Sequence, residues 1–433
     1  MRHGLRLRTH VVKNYLNTMD LLRFITCGNV DDGKSTLTGR LLYDSRAVSP
    51  DLLETIERQS RNKTANGTID LALLTDGLRA EREQGITIDV AYKYFSTSKR
   101  KFILADAPGH VQYTRNMVTG ASTADAAIIL LDARKGVTEQ TRRHSAIAAL
   151  LGIPHSIVCI NKIDLVDYSE AVFADLVASY LEFSGKLELN TPQFIPVSAL
   201  AGDNVVHHSE KMPWYNGPTL LDYLETVEPA AQHRPGDSRF QVQLVIRPGE
   251  SSTLHDYRGY AGQIQSGVYR KGDRVVVFPS GIETTIKSIE VHQQEVDEAF
   301  APQPAVLQLT DEIDISRGAS IVQASKLPEV KQHLGAMVCI TGETPLRSGD
   351  RFLLQHGSNR VKAILKSIDH KLDMGSLKQI GGPAQLQVND LAQVQLQTSK
   401  PVAFDPYREN RKTGAFILIH EHSNQTVAAG MFQ

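Results

Sequence analysis

A glycine-rich segment near the start of the chain has the residues of a phosphate-binding loop. It reads Gly28-Asn29-Val30-Asp31-Asp32-Gly33-Lys34-Ser35 and is followed by Thr36. In such loops the glycines let successive backbone N–H groups face phosphate oxygens, and the lysine reaches the β- and γ-oxygens. The hydroxyl of Ser35 falls at the start of a predicted helix, where it can bind Mg²⁺. The segment therefore predicts a nucleoside triphosphate site that includes a magnesium ion.

A second motif, Asn161-Lys162-Ile163-Asp164, indicates which base the site accepts. The carboxylate of Asp164 offers two acceptors to the parallel N1–H and N2–H donors of guanine, whereas adenine would leave that carboxylate facing a lone pair. Asn161 is expected to bind the opposite edge of the base, with the stem of Lys162 along the ring face. Ser198-Ala199-Leu200 would supply a backbone N–H to the guanine oxygen. The predicted cofactors are therefore GTP or GDP with Mg²⁺.

Two further segments would complete the chemistry of hydrolysis. In Asp106-Ala107-Pro108-Gly109-His110, Asp106 is placed to hold Mg²⁺ through water and Gly109 to donate its N–H to the γ-phosphate. His110 is predicted to orient the attacking water, the alternative being an ordinary surface-loop histidine. Thr87 can close over the metal while a γ-phosphate is present, and would be released on hydrolysis. The predicted catalytic residues are His110, Thr87 and Gly109, and the predicted metal ligands are Ser35, Thr87 and Asp106.

The elements that must position these residues follow from the hydrophobic pattern. A buried strand is predicted at Leu21–Cys27, a helix at Ser35–Tyr43 and another strand at Phe102–Ala105. From Leu21 to about Val227 apolar strands alternate with helical stretches, which predicts a mainly parallel sheet wrapped by helices. At residues 50–72 a helical insertion interrupts this alternation of strands and helices. The sequence leaves open whether the insertion has a packing role or a sensing role.

The hydrophobic period changes to two after a linker rich in proline and glycine at Glu228–Asp237. Phe240, Val242, Leu244 and Ile246 alternate with less buried neighbours, as in a half-buried strand. Similar runs recur around Gly262–Val268 and Asp273–Phe278, separated by the turn Lys271-Gly272-Asp273, and later at Ala384, Leu386 and Val388, then Val394 and Leu396. Short strands with turn signals at this spacing indicate two antiparallel β domains, either barrels or sandwiches.

The order and spacing of the motifs resemble the translational GTPases typified by elongation factor Tu. Within this group, the motif sequences are similar to those of the family of GTP-binding subunits of two-subunit bacterial sulfate adenylyltransferases. Asp32 and Ser35 stand where an elongation factor would typically have His and Thr, and Ala107 replaces an expected Thr. The segments that carry the resemblance are residues 76–92, 112–117, 132–136, 140–145, 404–411 and 413–419.

This resemblance implies a multidomain α/β and β protein, in which a P-loop GTPase domain is followed by two antiparallel β-barrels. The implied boundaries are an N-terminal extension at 1–20, the GTPase domain at 21–228, and barrels at 237–326 and 331–433. It also implies a partner, the catalytic subunit that joins ATP and sulfate into adenosine 5′-phosphosulfate and pyrophosphate. In some relatives an adenylylsulfate kinase domain is fused or associated. Since the sequence shows one P-loop, this chain is not expected to form that anhydride alone.

Composition agrees with this interpretation and weighs against its rivals. The main alternative is a translation factor of the elongation factor Tu type, but a formal charge of −1 over 433 residues shows no basic excess that would argue for a nucleic-acid surface. A kinase acting on a small acceptor lacks an evident acceptor base. No apolar run reaches membrane length, and the three cysteines, Cys27, Cys159 and Cys339, are expected to be buried and reduced. A cytoplasmic location is therefore expected.

Overall fold

The computed structural model describes most of the chain as two compact units. The described residues are 20–48, 50–61, 69–74, 89–108, 114–185, 187, 190–229, 237–248, 257–373 and 378–433. The first unit holds the described residues up to 229, and the second holds those from 237 onward. Among the described helices, none combines the length and the apolar character needed to cross a membrane.

The first unit is built on one six-stranded sheet. Its strands are β1 (Leu21–Cys27), β2 (Ala91–Ser96), β3 (Lys101–Asp106), β4 (Ala126–Asp132), β5 (His155–Asn161) and β6 (Gln193–Pro196). The spatial order is β2-β3-β1-β4-β5-β6, and all neighbours are parallel except β2 and β3. Every residue of β4 is buried, as expected for a central strand covered on both faces. The predicted mainly parallel sheet is confirmed.

Helices surround this sheet, and several begin at a hydroxyl side chain that caps the first turn. They are α1 (Lys34–Asp44), α2 (Pro50–Arg61), α3 (Thr114–Ala121), α4 (Glu139–Leu150), α5 (Glu170–Ser184) and α6 (Leu220–Thr226). Thr138 accepts the N–H of Thr141 at the start of α4, and Thr219 accepts the N–H of Asp222 at the start of α6. The described part of this unit also has two 3₁₀ turns, Leu71–Leu74 and Ile163–Val166.

The predicted insertion contains helix α2, which packs beside α1. Ile56 of α2 is buried against Leu71 and Leu74 of the following 3₁₀ turn. That turn approaches α1 so closely that a Cβ at Gly39 would lie 2.0 Å from the carbonyl oxygen of Leu71. Glycine at this position is what lets the insertion lie against the helix.

The second unit begins with a closed antiparallel barrel. Its strands are β7 (Arg239–Ile246), β8 (Gly259–Ser266), β9 (Val268–Arg270), β10 (Arg274–Phe278), β11 (Ile282–Val291), β12 (Gln294–Val296), β13 (Glu298–Phe300), β14 (Pro304–Leu309) and β15 (Ser320–Gln323). Six strands form the ring in the order β10-β15-β7-β8-β14-β11, which pairing of β10 with β11 closes. β12 extends from β11, while β9 and β13 pair separately.

A second closed barrel follows in the same unit. Its strands are β16 (Glu329–Ile340), β17 (Arg351–His356), β18 (Asn359–Leu372), β19 (Gln379–Gly381), β20 (Leu391–Phe404), β21 (Ala415–His420) and β22 (Thr426–Phe432). The ring runs β17-β21-β22-β16-β20-β18 and is closed by pairing of β17 with β18. The prediction of two antiparallel β-barrels is confirmed, whereas the domain boundaries given above stay a prediction.

The predicted alternation along β7 is wrong in its second half. Phe240 and Val242 are buried as expected, but Leu244 is 60% exposed. The register with β8 shifts between Val242 and Leu244, which marks a β-bulge. An extra residue in one strand reverses which side chains face the core, and Val245 packs against the core instead.

The alternation at Ala384, Leu386 and Val388 is not a strand. Leu386 is buried but forms only an isolated bridge with Leu346 among the described residues. The chain turns immediately afterwards, where Asn389 has a φ of 71°. The other alternating pair, Val394 and Leu396, does lie buried in β20 as predicted.

The expectation of buried, reduced cysteines is confirmed. Cys27, Cys159 and Cys339 are all buried and free of disulfides. Burial raises the pKa of Cys27 to about 12, against a smaller opposing effect of Lys34, and it raises the pKa of Cys339 to about 12 as well. These thiols are therefore protonated at neutral pH and poorly reactive.

The two barrels are joined by a buried ion pair. Arg239, at the start of β7, donates to both carboxylate oxygens of Asp405 at 2.9 and 2.8 Å. The side chains are only 5% and 8% exposed. Arg239 also donates to the carbonyl of Lys326, and Asp405 accepts from the Thr413 hydroxyl. A bidentate pair with its remaining groups bonded fixes the contact geometrically as well as electrostatically.

Asp405→Ala is expected to reduce the free energy of unfolding of the barrel pair by about 3–5 kcal/mol, because it leaves the guanidinium of Arg239 buried without its partner. Urea unfolding followed by circular dichroism measures this. The control is Glu283→Ala, which removes the exposed partner of Arg274 and should cost less than about 1 kcal/mol. Equal effects of the two substitutions would show that the buried pair does not stabilise the barrel contact.

Candidate functional site

The predicted phosphate-binding loop joins β1 to α1 in a tight turn. Asp31 and Gly33 have φ angles of 71° and 91°, and the Asn29 N–H donates to Asp32 Oδ2 at 2.8 Å. A Cβ at Gly33 would lie 2.4 Å from Asn161 Nδ2, so only glycine fits there. The loop ends at Lys34, the first residue of α1, so it leads directly into the unpaired N–H groups of a helix N-terminus.

The predicted phosphate and metal residues come together at the ends of β1 and β3. Lys34 Nζ lies 3.3 Å from Asp106 Oδ1, with side chains only 8% and 2% exposed. The hydroxyl of Thr26 donates to the same carboxylate oxygen at 2.9 Å. Ser35 follows Lys34 in the first turn of α1. Carboxylate and hydroxyl oxygens are the ligands that Mg²⁺ prefers, so the donor set of Ser35 and Asp106 fits that ion.

The side chain of Asn161 links the phosphate-binding loop to the base-reading loops. Its Nδ2 donates to the carbonyl of Asp32 at 2.7 Å, and its Oδ1 accepts the N–H of Ala199 at 3.0 Å. Since an amide has two donors and two acceptor positions, one of each stays available to a base. The three segments predicted to bind nucleotide, which follow β1, β5 and β6, therefore meet at one edge of the sheet. This is where open parallel sheets bind ligands.

Lys162 is held by a carboxylate that the sequence analysis did not assign to the site. Its Nζ donates to the carbonyl of Asp31 and lies 3.0 Å from Asp132 Oδ2. Asp132 ends β4, and Arg134 donates to both of its oxygens. Burial alone would raise the pKa of Asp132, but the hydrogen bonds from Arg134 and the pairing with Lys162 hold it well below its usual range. The position of Asp132, at the end of a buried strand beside β5, was the available signal.

Asp164 and its neighbours form the outer part of the site. Asp164 lies half-buried in the 3₁₀ turn after Lys162. Two apolar side chains nearby in sequence are well exposed, Leu165 at 54% and Leu200 at 71%. Ser198 is buried, and its N–H donates to the carbonyl of Asp203. The aspartate predicted to read guanine is thus accessible from solvent.

Two buried titratable groups belong to the surroundings of Lys34: Asp32 within the loop, and His144 on α4. Asp32 is 1% exposed, and its Oδ1 has no hydrogen-bond partner among the described residues. Burial raises the pKa of Asp32, although the hydrogen bond from Asn29 opposes the shift. Burial, Lys34 and Arg143 together lower the pKa of His144 to about 3. His144 is therefore neutral at pH 7 and adds no charge that would compete with Lys34 for an anion.

The predicted catalytic residues are not part of this geometry. All three lie outside the described residues: Thr87 in the gap between Leu74 and Asp89, and Gly109 and His110 in the gap between Pro108 and Thr114. Ala107 is 1% exposed, so its side chain faces the interior. The roles of the three residues stay predictions.

Comparison with known protein families matches both ends of the chain. A model described as the elongation factor Tu GTP binding domain matches residues 19–230. A model described as GTP-eEF1A C-terminal domain-like matches residues 333–433. The solved structure of sup35 complexed with GDP has a TM-score of 0.44 and 23% identity, over 96% of this chain and 95% of that one. A similarity of that size indicates nothing about what this chain binds.

Curated relatives match along the whole chain. Sulfate adenylyltransferase subunit 1 of Cellvibrio japonicus is 49% identical over 435 residues, which cover 100% of this chain and 91% of that protein. The subunit 1 protein of Bacteroides fragilis is 49% identical, over 95% and 86% of the two chains. A bifunctional enzyme CysN/CysC of Rhodopirellula baltica is 50% identical, over 95% of this chain and 63% of that one. The chain therefore belongs to the family of sulfate adenylyltransferase subunit 1 proteins, with an elongation factor Tu-type GTP-binding domain.

Proposed function

We propose that this chain is the GTPase subunit of a sulfate adenylyltransferase. The observation that carries the proposal is that the side chain of Asn161 donates to Asp32 and accepts from Ala199, which joins the loop containing Lys34 to the segment containing Ala199. These contacts hold the proposed phosphate half and base half of the site together. The names of the full-length relatives support the sulfate part of the proposal.

Each residue of the site takes a role in this proposal. Lys34 and the backbone N–H groups of the loop bind the phosphates, and Asp164 binds the guanine edge. When bound, Mg²⁺ would be held by Ser35, Asp106 and Thr87, and would neutralise charge on the phosphates. His110 and Gly109 would act on the attacking water and the γ-phosphate. The products are GDP and phosphate.

The proposed partner is a catalytic subunit that binds ATP and sulfate. It would form adenosine 5′-phosphosulfate and pyrophosphate, and this chain would couple that step to GTP hydrolysis. A mixed phosphoric–sulfuric anhydride is unfavourable to form at equilibrium, so coupling its formation to GTP hydrolysis can raise its yield. The bifunctional relative supports the association of some family members with a second activity, proposed as an adenylylsulfate kinase. A cytoplasmic location stays a prediction.

Base choice is the first test. Asp164→Asn should lose GTP affinity by about tenfold or more, because hydrogen bonds to a charged group are lost. It should gain affinity for xanthosine triphosphate, whose C2 carbonyl can accept from the new amide. Nucleotide titration measures both. Asp167→Asn, an exposed aspartate in the same turn, serves as the control and should change neither affinity. Unaltered GTP binding by Asp164→Asn would remove that residue from the site.

Binding and hydrolysis should separate in two variants. Lys34→Ala removes a charge contact to the β- and γ-oxygens and should weaken GTP binding itself. His110→Ala should leave binding nearly unchanged and slow single-turnover hydrolysis by roughly 10²–10⁴-fold, the usual contribution of a positioned acid–base group. Hydrolysis at the wild-type rate in the histidine variant would return His110 to the role of a surface-loop residue.

Coupling is tested by the amount of product at the plateau. The partner subunit is incubated with ATP, sulfate and this chain, with GTP, a non-hydrolysable GTP analogue or no guanine nucleotide added. GTP should carry adenosine 5′-phosphosulfate above its nucleotide-free plateau, whereas the analogue can change only the rate of approach. A ligand shifts an equilibrium only through its differential affinity for two states. Three equal plateaus would mean that GTP hydrolysis does not drive the reaction.

A further inference from the structure

Helix α1, which starts at the phosphate-binding loop, also reaches the segment predicted to read the guanine oxygen. The side chain of Arg40 extends from α1 to the turn after β6. Its Nε donates to the carbonyl oxygen of Ala199 at 3.3 Å, and one terminal nitrogen donates to the carbonyl oxygen of Leu200 at 2.6 Å. One planar guanidinium therefore holds two successive peptide groups.

The remaining contacts of Arg40 fix its own position. Another terminal nitrogen pairs with Asp44 at 3.4 Å on the same helix face, and the two side chains are 20% and 16% exposed. The turn closes against this pair at Gly202, where a Cβ would lie 3.2 Å from Asp44 Oδ2 and 3.4 Å from Arg40 Cδ. The guanidinium is thus packed between the helix and the turn that it binds.

Holding these carbonyls also sets the direction of the N–H groups. The carbonyl of Ala199 and the N–H of Leu200 belong to one trans peptide plane and point in opposite directions. Because Arg40 binds that carbonyl, the Leu200 N–H is directed away from α1. The N–H of Ala199 already faces Asn161, to which it donates at 3.0 Å. The Ala199 N–H is therefore used within the protein, and the Leu200 N–H is the donor of this segment that is left to face a base.

We propose that Arg40 is a positioning residue for guanine recognition, which holds the carbonyls of Ala199 and Leu200 so that the N–H of Leu200 meets O6 of guanine. The proposal rests on the GTP-binding function proposed above. Arg40 does not touch the base; it acts through the backbone. Since Lys34 lies on the same helix, α1 also sets the separation between the phosphate half and the base half of the site.

A purely structural role for Arg40 makes a different prediction, and analogues of GDP distinguish the two. In 6-thio-GDP a sulfur, which is a weaker acceptor, replaces O6, while N1–H and the 2-amino group are kept. Inosine diphosphate keeps O6 but lacks the 2-amino group that Asp164 is proposed to accept. If Arg40 has a positioning role, its replacement changes the ratio of the affinities for GDP and 6-thio-GDP and leaves the ratio for GDP and inosine diphosphate unchanged. A structural role lowers all affinities together.

The experiment measures dissociation constants of GDP, 6-thio-GDP and inosine diphosphate for the full chain and for Arg40→Met. This substitution keeps an unbranched apolar side chain and removes the guanidinium group. We expect the preference for GDP over 6-thio-GDP to fall about three- to tenfold, the value of one hydrogen bond. The preference for GDP over inosine diphosphate should stay within twofold. Arg58→Met, at a side chain 78% exposed on α2, is the matched control and should change neither ratio.

Arg40→Lys provides a second variant, in case Arg40→Met does not fold. A lysine can donate to one of the two carbonyls but cannot span both. The preference of this variant for GDP over 6-thio-GDP should therefore lie between those of the wild-type chain and Arg40→Met. An unchanged preference in a folded Arg40 variant overturns the proposal, and so does a wild-type chain that binds GDP and 6-thio-GDP equally well. A wild-type chain that binds none of the three nucleotides overturns the proposed function instead.

Discussion

The site depends on one side-chain amide, that of Asn161. It donates to the carbonyl of Asp32 and accepts from the N–H of Ala199, and so joins segments that follow three different strands. All four atoms are shielded from solvent, where an unpaired polar group would cost about 1–3 kcal/mol. Neither loop can move away without incurring that cost. Contacts within the protein therefore hold the three segments of the nucleotide-binding edge together.

Two ion pairs, each between a lysine and a carboxylate, support the same arrangement. Lys34 is paired with Asp106, and Lys162 is paired with Asp132, which Arg134 also binds. Each lysine thus has a carboxylate that fixes the position of its ammonium group. A triphosphate would offer Lys34 stronger acceptors than a single carboxylate, and the freed oxygens of Asp106 would then be available to a metal ion. The atoms that pair Lys34 with Asp106 are thus the same atoms that would bind a phosphate and a metal ion.

The sequence allowed the main strands, the phosphate-binding loop and the base-reading motif to be predicted, because each is local and has a defined residue pattern. Contacts between distant segments escaped prediction. Asp132 and Arg40 look like an ordinary strand end and an ordinary helical arginine until the fold brings them to Lys162 and to the turn after β6. The bulge in β7 was missed for a similar reason, since the register of a strand is set by its neighbour and not by its own alternation. For Thr87 and His110, which lie outside the described residues, only the sequence motifs indicate a role.

Closure of both barrels governs how this half of the molecule meets other chains. A sheet with open sides presents rows of unpaired N–H and C=O groups, which invite strands from other molecules and favour aggregation. In each six-stranded ring the first and last strands bond to each other, so the ring has no such side. The described strands outside the rings, β9, β12, β13 and β19, are each only three residues long. Recognition by this region must then use side chains and loops. Surfaces of that kind can diverge by substitution while the backbone beneath them stays the same.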